Sequence, residues 1–147
     1  MRKWLVCMAV LLAVCVLLTG CGNEKAGSKQ AVNELVVENG KVTTNWYECA
    51  YPEAMQNTIR VDKAEGEFTG DLKFYVTLPD SEHLIFDLKY NNAQGDWTIE
   101  FEKDGGEKVP VSFVMYSVPA FMSENDKTQF FMAQEVVNDI VSTMKLK

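Results

Sequence analysis

Four successive segments in the middle of the chain carry an apolar residue at every second position: Leu72, Phe74, Val76 and Leu78; Leu84, Phe86, Leu88 and Tyr90; Trp97, Ile99 and Phe101; Val109, Val111, Phe113 and Met115. A period of two is that of a strand burying one face, and a helix would scatter these residues around its circumference. Residues 79–82, 91–96 and 104–107 separate the four segments, and all three connections are polar and short. A parallel crossover needs a dozen or more residues, so these lengths predict an antiparallel meander. Pro110 has no N–H to give to a ladder, which places its strand at an edge or starts it beyond the proline.

Upstream, Asn39-Gly40 stands between two β-prone runs, a strong hairpin signal, and predicts strands over 34–38 and 41–49. A further strand is expected near 58–61, and Pro52 followed by good helix formers can open one helical turn. Downstream the period changes. Ser123 followed by Glu124 and Asp126 is an N-cap with acids in the first turn, and Phe130, Ala133, Val137, Ile140, Val141 and Met144 keep helical spacing. Lys145 and Lys147 then fall at the negative end of the dipole of a helix of about twenty residues. Its apolar stripe needs an apolar surface, and the sheet is the one available. The expected fold class is α+β: an antiparallel β-meander sheet with an amphipathic C-terminal helix packed on one face, in a single domain spanning 33–147.

The first twenty residues have a different character. Arg2 and Lys3 precede an unbroken apolar run from Trp4 to Leu18, the layout of a secretory signal and short of the ~20 apolar residues that a permanent span needs. The run ends in Leu18-Thr19-Gly20-Cys21 and is followed at once by polar sequence. This tetrad resembles the lipobox of bacterial prolipoproteins. The resemblance implies cleavage between Gly20 and Cys21, a diacylglyceryl thioether on Cys21, and a mature protein held by membrane lipid at the extracytoplasmic face of the cell membrane. Two acyl chains hold far more firmly than one, whose binding is reversible. Residues 21–32 are then a tether. The nine residues 22–30, at ~5–6 Å times the square root of their number, reach about 15–18 Å.

The whole chain has 147 residues and a formal charge of −7, and the leader holds two of its 14 basic residues and none of its 21 acidic ones. The mature chain is therefore more acidic still, at −9. A domain so charged offers no electrostatic footprint for nucleic acid. Of the four cysteines, Cys7 and Cys15 lie in the leader and Cys21 is the lipid site, so Cys49 alone remains. One thiol closes no intramolecular disulfide, and among Trp46, Tyr47 and Tyr51 it reads as a small buried apolar group.

Candidate chemistry is sparse. Asp80, Glu82 and His83, the only histidine, could offer ligands to a metal or a base to a hydrolytic centre, although a polar turn before a strand accounts for them equally well. Asp104-Gly105-Gly106-Glu107 lacks the spaced oxygens of a calcium loop and reads as a turn. Glu100 and Glu102 share a strand face that reads as solvated. No nucleophile elbow, phosphate-binding glycine loop or zinc-protease motif is present, and no cofactor is implied. The aromatic residues point elsewhere. Tyr75 and Tyr116 fall opposite the leucines and valines of their strands, and with Trp97 they form a candidate binding surface if one sheet face is open, or core if both are covered. The sequence thus predicts a lipid-anchored, non-enzymatic binding or accessory module with an envelope protein, peptide or polysaccharide as ligand; the alternative is a small metal-dependent or hydrolytic enzyme centred on His83.

Overall fold

The structure, a computed structural model, describes residues 34–147. The expected leader, with Gly20 and Cys21 at its proposed cleavage and lipid site, and the expected tether over 21–32 lie outside the described residues. The chain forms β1 (Val36–Glu38), β2 (Lys41–Thr43), β3 (Tyr47–Ala50), one 3-10 turn (Glu53–Met55), β4 (Ile59–Lys63), β5 (Leu72–Leu78), β6 (Ser81–Tyr90), β7 (Trp97–Glu102), β8 (Lys108–Met115), α1 (Glu124–Gln134), α2 (Val136–Thr143) and β9 (Lys145–Leu146). The fold is α+β, with antiparallel sheets of order β1-β2-β3-β9 and β4-β5-β6-β8-β7 and a C-terminal helix packed against them. Among the described residues no helix is long and apolar enough to cross a membrane.

The hairpin between β1 and β2 turns on Asn39 and Gly40, both at positive φ (51° and 78°), as a two-residue turn of this hand requires. The strand expected over 41–49 is in fact two. Thr44 Oγ1 accepts from the N–H groups of Trp46 and Tyr47, at 3.2 and 3.1 Å, and the Thr44 N–H donates to Tyr47 O at 2.9 Å. A side chain that satisfies the local backbone folds the run back on itself, so Val42 pairs with Cys49.

The larger sheet departs from a simple meander at one place. Both β6 and β7 pair antiparallel with β8, so residues 91–96 carry the chain across β8. Six residues suffice because the connection lies directly on that strand. A Cβ on Gly95 would stand 2.7 Å from Phe113 O, Asp96 N donates to Phe113 O at 2.8 Å, and the Asp96 carboxylate accepts from Met115 N at 2.6 Å. Pro110 consequently sits in an interior strand and not at an edge. Its carbonyl accepts from Asn92 N just beyond the end of β6, so the missing N–H faces a place where no ladder partner stands.

A bulge corrects a second expectation. Pairing between β5 and β6 passes from Phe74 opposite Phe86 to Tyr75 opposite Leu84, leaving Ile85 as an extra residue. Leu84 is thereby turned to the outer face beside Tyr75, and His83 comes opposite Val76 on the inner side. Leu84-Ile85-Phe86 is apolar throughout, so two phases of the alternation fit it equally, and packing decides between them. Ile85 is completely buried.

The inner face of the large sheet carries Leu72, Phe74, Val76, Phe86, Leu88, Val111 and Phe113, none of them exposed at all. Helix α1 lies over β5 and β6, and α2 lies against β3 of the smaller sheet. Phe130, Ala133, Val136, Val137 and Ile140 supply the buried stripe. An irregular turn at Glu135 divides the helix in two. At Met144 the backbone leaves the helix (ψ 130°), and Lys145 therefore pairs with Glu48 in a strand instead of ending a helix.

Candidate functional site

The outer face of the five-stranded sheet is where alternation collects what the core rejects. Arg60 and Asp62 of β4, Lys73 and Tyr75 of β5, Leu84 and Asp87 of β6 and Val114 of β8 stand there in register, and Tyr116 follows β8 on the same side. The buried residues of both helices join the same core as the inner-face side chains, which leaves the outer face without a helix. Tyr75 and Tyr116 are half-buried by their neighbours, neither core nor fully open.

Two networks organise the face. The Arg60 guanidinium lies 4.1 Å from the centre of the Tyr75 ring, a cation–π geometry. It grips Glu82 with two nitrogens, Nε to Oε2 at 2.7 Å and a terminal nitrogen to Oε1, and it also donates to Asp62. This bidentate hydrogen bonding holds the Glu82 carboxyl below the usual carboxylate range and pushes the Arg60 guanidinium up. In the second network Tyr116 donates its hydroxyl to Asp87 Oδ2 at 2.9 Å, and Lys73 Nζ stands 4.0 Å from Asp87 Oδ1. Burial, then the bond to Asp87, pushes the Tyr116 hydroxyl up. Because Arg60 is already matched by two carboxylates, the face has no free guanidinium for an anion. What it offers a partner is the ring surface of two tyrosines between neutralised charges.

The remaining candidate residues are dispersed. Trp97 belongs to the inner side, stacked on Phe113 with ring centres 4.7 Å apart, and so does not join Tyr75 and Tyr116. Glu82 is turned to the outer face and bound to Arg60, while Asp80 is exposed in the β5–β6 turn and His83 points to the other side. Among the described residues no three His, Cys, Asp or Glu side chains come together as a metal site. No family model, curated protein or solved structure matches this chain. His83 instead shares a shallow pocket of about 250 Å³ with Ser81, Phe121, Met122, Ser123 and Asp126. Its Nε2 lies 2.9 Å from Ser81 Oγ. Asp126 accepts from Ser123 Oγ at 2.7 Å while its N–H is capped by the same hydroxyl, so this carboxylate serves the helix start. The 104–107 segment is a turn with both glycines at positive φ. Cys49 is buried, and desolvation pushes its thiol up to about 12.

The residues that sequence reasoning missed are Arg60 and Asp87. Each had a signal. Arg60 is the only arginine after Arg2 and alternates with Ile59 and Val61, and Asp87 interrupts Phe86 and Leu88 on the face opposite both. Their partners are 22 and 29 residues away in sequence, which alternation alone cannot bring together.

Proposed function

We propose that this chain is an exported lipoprotein, anchored by membrane lipid through Cys21 at the extracytoplasmic face of the cell membrane, whose α+β domain is a non-enzymatic binding or accessory module of the cell envelope. The tetrad Leu18-Thr19-Gly20-Cys21, after its charged start and apolar run, supports the anchor. The observation that carries the binding role is the helix-free outer sheet face with Tyr75 and Tyr116 at its centre, half-exposed and already charge-compensated. Aromatic rings held rigid by such networks lose little entropy when an envelope protein, peptide or polysaccharide stacks on them.

The test is intact mass and membrane partition of the natively expressed protein beside Cys21→Ala. A lipid-modified chain cut before Cys21 is expected, leaving the membrane only when Cys21 is replaced; an unmodified chain of precursor mass would remove the surface address. A hydrolytic reading rests on the Ser81–His83 contact in its pocket. It requires turnover of a chromogenic ester that His83→Ala abolishes, and equal turnover by both proteins sinks it.

A further inference from the structure

The smaller and larger sheets each end in an open strand, and these two strands border one groove. β1 is the terminal strand of its sheet and β4 of the other, and among the described residues no strand pairs with their outer sides. A groove of about 240 Å³ is lined by Val37 from β1 and by Ile59, Arg60 and Val61 from β4, with Tyr51 and the amides Asn39, Gln56 and Asn57 around it.

Ladder parity fixes which backbone groups look into that groove. Thr77 N donates to Thr58 O and Ala64 N to Asp71 O, so residues 58, 60, 62 and 64 bond toward β5. The N–H and C=O groups of Ile59 and Val61 consequently point away from β5. On the other wall, Thr44 N bonds to Tyr47 O and Tyr51 N to Gly40 O, so residues 40, 42 and 44 face β3 while Lys41 and Thr43 face Glu38 and Val36. Val37 is the β1 residue left with its backbone groups outward. Of the four strand residues that line the groove, Val37, Ile59 and Val61 thus turn their main-chain donors and acceptors outward, while Arg60 bonds toward β5.

We propose that this groove takes an extended peptide segment of a partner protein, added to β4 as a sixth strand. Backbone donors and acceptors repeating at every second residue are matched by another extended backbone. The lining favours an uncharged occupant. Its polar side chains are Tyr51, the amides Asn39, Gln56 and Asn57, and Arg60, whose charge is cancelled by Glu82 and Asp62. A second copy of the domain fits less well, because a strand already paired in a sheet has one free side and brings its neighbours, whereas the groove has a wall on both sides. The proposal rests on the binding-module reading for its class of partner and adds the sheet edge as a second binding surface beside the outer face.

The experiment uses the full chain in detergent micelles and a displayed library of random linear nonapeptides. Val61→Pro removes one outward N–H and leaves the β5 ladder intact, since proline is tolerated where an edge N–H faces away from its neighbour. Peptides that bind the native chain are expected to lose at least roughly tenfold in affinity on Val61→Pro, about the worth of one backbone hydrogen bond, and to be unaffected by Tyr75→Ala. N-methylating a bound peptide at residues of one parity should abolish binding and at the other parity leave it, a readout independent of whether the variant folds. Binding that survives Val61→Pro but falls on Tyr75→Ala would overturn the groove and keep the outer face as the binding site. Binding insensitive to N-methylation at either parity, no bound peptide at all, or a dimer of the chain that Val61→Pro dissolves would each overturn the proposal.

Discussion

Tyr116 shows how a single hydroxyl holds a carboxylate on a sheet face. Asp87 Oδ2 accepts from it, whereas Asp87 Oδ1 is buried with no hydrogen bond and has only the Lys73 ammonium at 4.0 Å. Tyr116→Phe would leave a largely buried carboxylate without its one strong donor. We expect a loss of about 1–3 kcal/mol in urea unfolding, the usual penalty for stranding a buried acceptor. Gly95 is irreplaceable for a different reason: a methyl there meets Phe113 O at 2.7 Å and Ser112 Cβ at 2.9 Å, and the first is backbone that cannot swing aside. Gly95→Ala should destabilise by about 1–3 kcal/mol, as overpacking does, visible as a lowered melting temperature. Cys49 sets a pH dependence. Burial holds its thiol protonated up to about 12, and burial likewise pushes up the hydroxyls of Tyr47 and Tyr51. A raised folded pKa stabilises fully below the unfolded value and is lost as pH climbs past it, because the unfolded chain releases its proton first. Stability should therefore fall from about pH 9 upward. Cys49→Ala should lose less between pH 9 and 11 than the native chain in urea titrations, and parallel losses would contradict this account of the thiol.

At the scale of elements, the bulge in β6 is held from outside the sheet. Gln134, at the end of α1, donates through Nε2 to Ile85 O at 3.0 Å and to Tyr116 O at 2.6 Å, so one amide ties the helix to the bulged residue and to the end of β8. Gln134→Leu keeps the size of the side chain and removes both bonds. Hydrogen exchange should then quicken at Tyr116, whose N–H also donates to Ile85 O, with the remainder of β5 and β6 unchanged. The helix start is simpler, since Ser123 caps Asp126 N and its Ala variant should cost about 1 kcal/mol. The elements themselves were largely readable from sequence. Strands β5, β7 and β8 followed their alternation, the Asn39-Gly40 hairpin followed its turn chemistry, and Ser123 opened the helix. The tight turn at Thr44 was not readable, because a β-branched threonine in a β-prone run looks like strand until its hydroxyl is seen bonding backwards to Trp46 and Tyr47.

For the whole molecule, the C-terminus closes what the N-terminal hairpin begins. β9 pairs with β3, Lys147 N donates to Trp46 O at 2.9 Å, Lys147 Nζ to Thr44 O at 2.7 Å, and Thr143 Oγ1 bonds both polar groups of Ala50. The small sheet is in turn tied to the large one by the Tyr47 hydroxyl, which donates to Gly70 O at 2.6 Å, and by the tilted contact of the Tyr47 and Tyr90 rings, 5.5 Å apart. Removing residues 144–147 should expose the edge of β3 and take the buried side chain of Met144 out of the core. A lowered melting temperature with increased binding of a hydrophobic dye is the expected result. An unchanged melt would mean that β9 adds nothing to the fold.

The sequence alone determined the fold class, because a period of two over four segments and a period of 3.6 over the last twenty residues are local consequences of backbone geometry. It also carried the whole case for Cys21, a chemical signature that needs no folding to be read. The tertiary structure decided everything that depends on distance along the chain. It placed β8 between β6 and β7, inserted Ile85 as a bulge, and separated Trp97 from Tyr75 and Tyr116. It also turned Glu82 away from His83 toward Arg60. Each of these outcomes is a contest between packings that local pattern leaves nearly equal, and it is settled by which buried surfaces and hydrogen bonds can be satisfied together.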